Sequence, residues 1–181
     1  MEKKRFLLIF VLLAVVLALA ATLYRSLTTD TIPPAGDPAP PRAAADFTVY
    51  DLEGNEVHLS DFEGKPIVLN FWASSCGPCR SEMPDFQRAY ESLGEKVQFL
   101  MVNVTDGQWD TLENASSYVA DNGFTFPVYY DTAVDAAATY GIRGLPATVF
   151  INAEGNIIAS RSGAMSLEIL QGGIDLIYRP E

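Results

Sequence analysis

Asn70-Phe71-Trp72-Ala73-Ser74-Ser75-Cys76-Gly77-Pro78-Cys79-Arg80 holds both cysteines of the 181-residue chain. An apolar run over residues 66–73 leads into it, and apolar side chains at helical spacing follow over 78–93. The stretch therefore reads as a strand turning into a helix, with a thiol pair at the junction. A helix N-terminus carries unpaired N–H groups and a partial positive charge, which stabilises a thiolate and lowers its pKa. Cys76 falls at the mouth of that helix and Cys79 one turn inside it. The first is placed to attack a disulfide and the second to resolve the mixed disulfide that results. Pro78 suits the first helical turn, where its missing N–H is no loss. Other uses of a Cys-x-x-Cys pair fit less well. Tetrahedral zinc needs about four ligands, whereas the chain has no second pair and His58 as its single histidine. A structural disulfide between i and i+3 closes too small a loop to stabilise much. The expected centre is a redox-active Cys76–Cys79 pair with no metal and no other cofactor.

Upstream, residues 1–25 bear on compartment. Lys3, Lys4 and Arg5 precede an uncharged stretch over 6–24, and Arg25 ends it. As a helix this stretch reaches about 28 Å, close to the hydrocarbon thickness of a bilayer, and no polar stripe interrupts it. It is expected to be a single transmembrane signal anchor, with a cytoplasmic N-terminus and everything after Arg25 extracytoplasmic. The rival is a cleaved signal peptide, for which Ala18-Leu19-Ala20 supplies a small-x-small pattern. Either way the soluble part is exported. Residues 26–45, with Pro33, Pro34, Pro38, Pro40 and Pro41, read as a semi-rigid spacer. Residues 46–181 are long enough for one well-buried domain and too short for two. Beyond residue 25 the chain carries 8 basic against 22 acidic residues, which disfavours nucleic acid and anionic lipid headgroups as partners. Solubility is the ordinary use of such a surface, and an acidic docking site is the alternative.

The alternation of elements indicates the fold. Residues 47–52 and 57–59 flank Glu53-Gly54-Asn55 as a small hairpin. Residues 67–72 form a central apolar strand. The helix from Pro78 turns Met83, Phe86, Ala89, Tyr90 and Leu93 to one face and stops at Gly94. A second central strand over 97–104 precedes a helix over 109–122. A short strand at 128–130 follows, and Asp131 is expected to cap a helix over 132–140. Residues 147–151 and 156–161 pair as an antiparallel hairpin, and Ser166 caps a last helix that turns Leu167, Leu170, Ile174 and Ile177 inward. Such a chain makes an α/β sandwich with a mixed central sheet flanked by helices, which is the arrangement of the thioredoxin fold, here with an N-terminal β-hairpin extension.

With these elements in place, the chain resembles membrane-anchored, extracytoplasmic thioredoxin-like proteins of the TlpA/ResA type, in the redoxin/AhpC-TSA superfamily. The resemblance covers residues 47–177. It is carried by Phe71-Trp72-Ala73 leading into Cys76-Gly77-Pro78-Cys79-Arg80, by Gly141-Ile142-Arg143-Gly144-Leu145-Pro146-Ala147-Thr148, and by Thr125-Phe126-Pro127-Val128 and the turn over 150–155. It implies a cis Leu145–Pro146 peptide facing the cysteines, with Leu145 presenting backbone groups to an extended client; the alternative is a plain turn proline. Pro84 resembles the kink proline of the active-site helix. Trp72, Gly77, Pro78, Leu145 and Pro146 are the expected client-binding residues, with Trp72 packed beneath the pair. Two departures from thioredoxin itself stand out: Asn70 replaces its buried aspartate, and Ser75 its tryptophan. Glu82, three residues after Cys79 and on the same helix face, matches an acid of the membrane-anchored relatives. Buried there, it would have a raised pKa and relay the proton of Cys79; on the surface it would do neither. His58 reads as a strand residue without a catalytic part.

The resemblance implies a thiol–disulfide oxidoreductase that reduces disulfides of exported proteins, including apocytochrome c before haem attachment. Cys-Gly-Pro-Cys points to a reducing pair, nearer about −270 than about −120 mV, with electrons supplied by a membrane partner. Alternatives of the same fold are a disulfide oxidant and a thiol peroxidase. One of another class is a copper-binding chaperone for oxidase assembly, which the Cys-x-x-Cys spacing and the lone histidine disfavour.

Overall fold

The computed structural model describes residues 42–179. The expected anchor and most of the expected spacer lie outside them, and among the described residues no helix is long and apolar enough to cross a membrane. Eight strands form one mixed sheet in the order β1-β8-β7-β4-β5-β6-β2-β3. They are β1 (Arg42–Ala43), β2 (Thr48–Tyr50), β3 (Glu56–His58), β4 (Ile67–Trp72), β5 (Gln98–Asn103), β6 (Val128–Tyr130), β7 (Ala147–Ile151) and β8 (Asn156–Ser162). β5 runs parallel to both β4 and β6, and the remaining pairs are antiparallel. Four helices accompany them: α1 (Gly77–Leu93), α2 (Leu112–Asp121), α3 (Asp135–Thr139) and α4 (Leu167–Ile177).

Every residue of β4 is buried, as its uninterrupted apolar sequence predicts for a strand covered on both faces. Because side chains alternate along a strand, β4 feeds two cores. Ile67, Leu69 and Phe71 join Phe47, Val49 and Leu59 with Ala136 and Ala137 of α3. Val68 and Trp72 join Met83, Phe86 and Ala89 of α1, Ala115 of α2, and Leu170 and Ile174 of α4. Asn70 shares the parity of the second set, so its amide points toward α1. Gly173 lets α4 approach the sheet: a Cβ there would come within 2.2 Å of the Phe150 ring.

Three boundaries differ from expectation. Arg42 and Ala43, expected in the spacer, pair with Ile157 and Asn156 of β8. α2 begins at Leu112, not near Trp109, because Thr111 caps it by accepting from the Asn114 N–H at 3.2 Å. Trp109 instead belongs to a turn held by Asp106, whose Oδ1 accepts from the Gln108 and Trp109 amides. Asp131 does serve α3, accepting from Ala136 and Ala137 N–H at 3.3 and 2.8 Å, but from further away than a one-residue cap. α3 starts only at Asp135, after Val134 has taken a left-handed conformation (φ 58°).

Candidate active site

β4 ends at Trp72, and four residues later the chain reaches the cap of α1. Cys76 is that N-cap; its backbone is extended and its Sγ accepts from the Cys79 N–H at 3.2 Å. Gly77 and Pro78, exposed, form the first helical turn. Cys76 and Cys79 are joined as a disulfide with S–S 2.07 Å and Cα–Cα 5.3 Å. Cys76 is half-buried, whereas Cys79 has no accessible surface. The sulfur at the helix mouth is thus both the reachable one and the one that an amide N–H stabilises as a thiolate. Pro84 sits inside α1 without ending it.

Trp72 is fully buried, with its ring 6.0 Å from that of Tyr118. The Arg80 guanidinium lies 5.4 Å from the same Tyr118 ring. Trp72 therefore supports the junction from below. Expected also to contact a client, its side chain has no exposed surface to offer one. The Leu145–Pro146 peptide is cis. Ala147, next in sequence, pairs with Phe71, which sets this loop beside the exit of β4 toward the cysteines. Pro146 is buried and Leu145 half-buried, so Leu145 is the one with surface to offer. His58 lies on β3, at the opposite edge of the sheet from β1, where its Nδ1 is 3.2 Å from Thr48 Oγ1. Three strands separate β3 from β4, and His58 does not join the cysteines.

Glu82 is only 1% exposed. Its Oε1 accepts from Asn70 Nδ2 and its Oε2 from the Met165 N–H, each at 3.0 Å. Asn70 Nδ2 also donates to Thr148 Oγ1 at 3.0 Å. Burial pushes the Glu82 carboxyl up to about 7, against the opposing pull of these hydrogen bonds and of Arg161. The carboxyl therefore changes charge near neutrality, one turn beyond the buried sulfur.

A second buried carboxylate was not singled out in the sequence. Asp110, 4% exposed, lies between β5 and α2. It accepts from the Ser74 amide and, at 2.8 Å, from Ser74 Oγ. Asn103 Nδ2 and the Thr111 N–H donate to it at 2.9 Å each. Beside it, Ser75 Oγ donates to the Trp109 carbonyl. The loop after β5 thus clasps the two residues that precede Cys76. The available signal was Asp110-Thr111 ahead of a helix, which reads as capping chemistry and does not reveal a contact 36 residues away.

Residues 40–160 match the AhpC/TSA family. The thiol-disulfide oxidoreductase ResA of Halalkalibacterium halodurans is 33% identical over 183 aligned positions, covering 99% of this chain and 98% of that one. Among solved structures, StoA from Bacillus subtilis superposes with a TM-score of 0.63 at 27% identity, covering 74% of this chain and 99% of its own. A DsbF homologue from Corynebacterium diphtheriae gives a TM-score of 0.63 at 31% identity, covering 75% and 85%. A thioredoxin-like sheet, a cysteine pair bonded at the mouth of α1 and relatives of this kind lead to one assignment: the chain belongs to the AhpC/TSA family, as a thioredoxin-like thiol–disulfide oxidoreductase of the ResA type.

Proposed function

We propose that the Cys76–Cys79 pair works as a reductant of disulfides in exported proteins, on a domain tethered to the outer face of a membrane by residues 1–25. The observation that carries the proposal is the asymmetry of the pair: a half-buried Cys76 with an amide aimed at its sulfur, above a sealed Cys79. In the reduced protein the Cys76 thiolate attacks one sulfur of a client disulfide. A mixed disulfide forms and one client thiolate leaves. Cys79 then loses its proton and attacks the Cys76 sulfur, releasing the second client thiolate and closing the Cys76–Cys79 disulfide. Two electrons pass to the client, which takes up two protons.

Glu82 is suited to receive the proton of Cys79, because its carboxyl is shielded from water and poised near neutrality. Leu145, Gly77 and Pro78 supply the surface on which the client segment lies. Electrons return to the pair from a thiol donor in the membrane. Apocytochrome c before haem attachment is the client class we favour, by analogy with the group the sequence resembles.

A Cys79→Ser variant tests the reading. It is expected to accumulate mixed disulfides on Cys76 with exported proteins, and mass spectrometry then names the clients. Recovery of Cys76 only as free thiol, with disulfide-containing proteins present, would overturn it. Equilibration of the wild-type pair with glutathione decides direction: a pair nearer about −120 than about −270 mV would make it an oxidant.

A further inference from the structure

At the cis Leu145–Pro146 peptide a groove of about 570 Å³ runs between loop 140–146, the start of β7 and residues 160–163. Arg143 and Arg161 both line it, and no Asp or Glu does. That is unusual for a region whose residues 42–179 carry 19 acidic against 8 basic side chains. A guanidinium in such surroundings would ordinarily pair with a neighbouring carboxylate, but among the described residues the ion pair found is Arg88–Asp85. Glu82 feels the charge of Arg161, yet its oxygens bond Asn70 and Met165 instead. Both arginines are exposed. Neither donates a side-chain hydrogen bond to another described residue.

Position matters as much as charge. The groove includes Leu145 and Pro146, and Ala147, which is paired with Phe71 of β4. Arg161 lines it from β8, where it pairs with Thr148 of β7. Tyr140, Ile142 and Leu145 add apolar wall, more than a lone small anion would use. Resting on the proposed thiol–disulfide function, we infer that this groove binds an acidic, extended segment of the client polypeptide, with Arg143 and Arg161 each taking an Asp or Glu carboxylate beside the client's cysteine. Arg pairs with carboxylates in a planar, two-bond geometry. The net negative surface elsewhere repels the same segment, so the groove selects where an acidic client docks as well as whether it does.

The test uses the full chain, reduced, and two disulfide-linked cysteine peptides that differ only in carrying Glu or Gln on both sides of the cysteine. At low salt the Glu peptide is expected to exchange about 10-fold faster than the Gln peptide, and this preference should shrink as salt rises. Arg143→Glu should cut the Glu-peptide rate roughly 5-fold while leaving the Gln-peptide rate within about 2-fold. Arg161→Glu, whose charge also reaches Glu82, is read by the ratio of the Glu-peptide to the Gln-peptide rate, which should fall roughly 5-fold. Lys96→Glu, an equal charge change in the exposed turn after α1, should leave the preference intact. Equal rates for the two peptides in the wild type would overturn the groove and leave the redox reading standing. A loss in Lys96→Glu as large as in the arginine variants would overturn it in favour of a general charge effect. Inhibition by succinate stronger than by sodium chloride of equal ionic strength would overturn it in favour of a small-anion site. Absence of exchange with either peptide would overturn the redox reading and the groove with it.

Discussion

Two carboxylates are buried within reach of the same helix mouth, and their surroundings differ. Glu82 receives two hydrogen bonds, from Asn70 and from the Met165 amide. Asp110 receives four, from the Ser74 amide and hydroxyl, Asn103 and the Thr111 amide. Each is served by one strand asparagine, Asn70 on β4 and Asn103 on β5, the latter laterally paired with Trp72. The glutamate sits under a helix in a sparse polar pocket, where desolvation prevails and the proton is held near the point of release. The aspartate sits in a saturated one, where its oxygens serve as acceptors that tie the turn between β4 and α1 to the end of β5 and the start of α2. Burial alone therefore does not make an acid functional. What each carboxylate does follows from the donors aimed at it.

Breaking the fastening at Asp110 should have the largest effect. Asp110→Ala leaves buried donors without an acceptor and is expected to cost about 3 kcal/mol, read by denaturant unfolding. It should also slow alkylation of reduced Cys76, because Ser74 no longer holds the approach to the helix. A variant with wild-type stability and alkylation would refute the clasp.

Glu82→Gln removes a titration instead. The carboxyl has a folded value of about 7, above its unfolded 4.5. Its contribution to stability is therefore fully present below about pH 4.5 and is lost as pH rises through about 7. The lost contribution is roughly 3 kcal/mol. The wild-type oxidised protein should lose stability over that window relative to Glu82→Gln, which should show a flatter profile in urea melts. In that variant the new side-chain amide can donate to the Asn70 Oδ1, which has no partner in the wild type, once the Asn70 amide turns over. Parallel pH profiles for the two proteins would mean that Glu82 is merely packed.

Asn70→Ala sharpens the same point. It deletes a hydrogen bond that favours the ionised acid, so the midpoint of the pH-dependent stability loss should move up. A downward movement would show that Asn70 acts otherwise. The smallest effect is expected at the outer half of the clasp. Ser75→Ala removes one exposed hydroxyl contact to the Trp109 carbonyl and should cost under about 1 kcal/mol.

What the sequence determined by itself was everything whose cause is local. The thiol pair, the strand before it and the helix after it are read from contiguous residues, because a run of apolar side chains, a proline in the first turn and a 3.6-residue period each act within a few positions. The limits of β4 and the stop after Leu93 follow for that reason. Glu82 was anticipated from its spacing and from a family resemblance, but its burial depended on Met165, 83 residues away, and on Asn70 from a neighbouring strand. Tertiary structure alone decided the rest. Arg42 and Ala43 become a strand only because β8 presents an edge to them; beside so many prolines they carry no strand signal of their own. Asp110 looks like part of a helix start until the loop after β5 folds back over Ser74. Arg143 and Arg161 stand in separate stretches with no shared pattern until the β7–β8 ladder sets them on one groove. Each of these contacts is made across the sheet, where nearest neighbours in space are far apart in the chain and no local pattern records them.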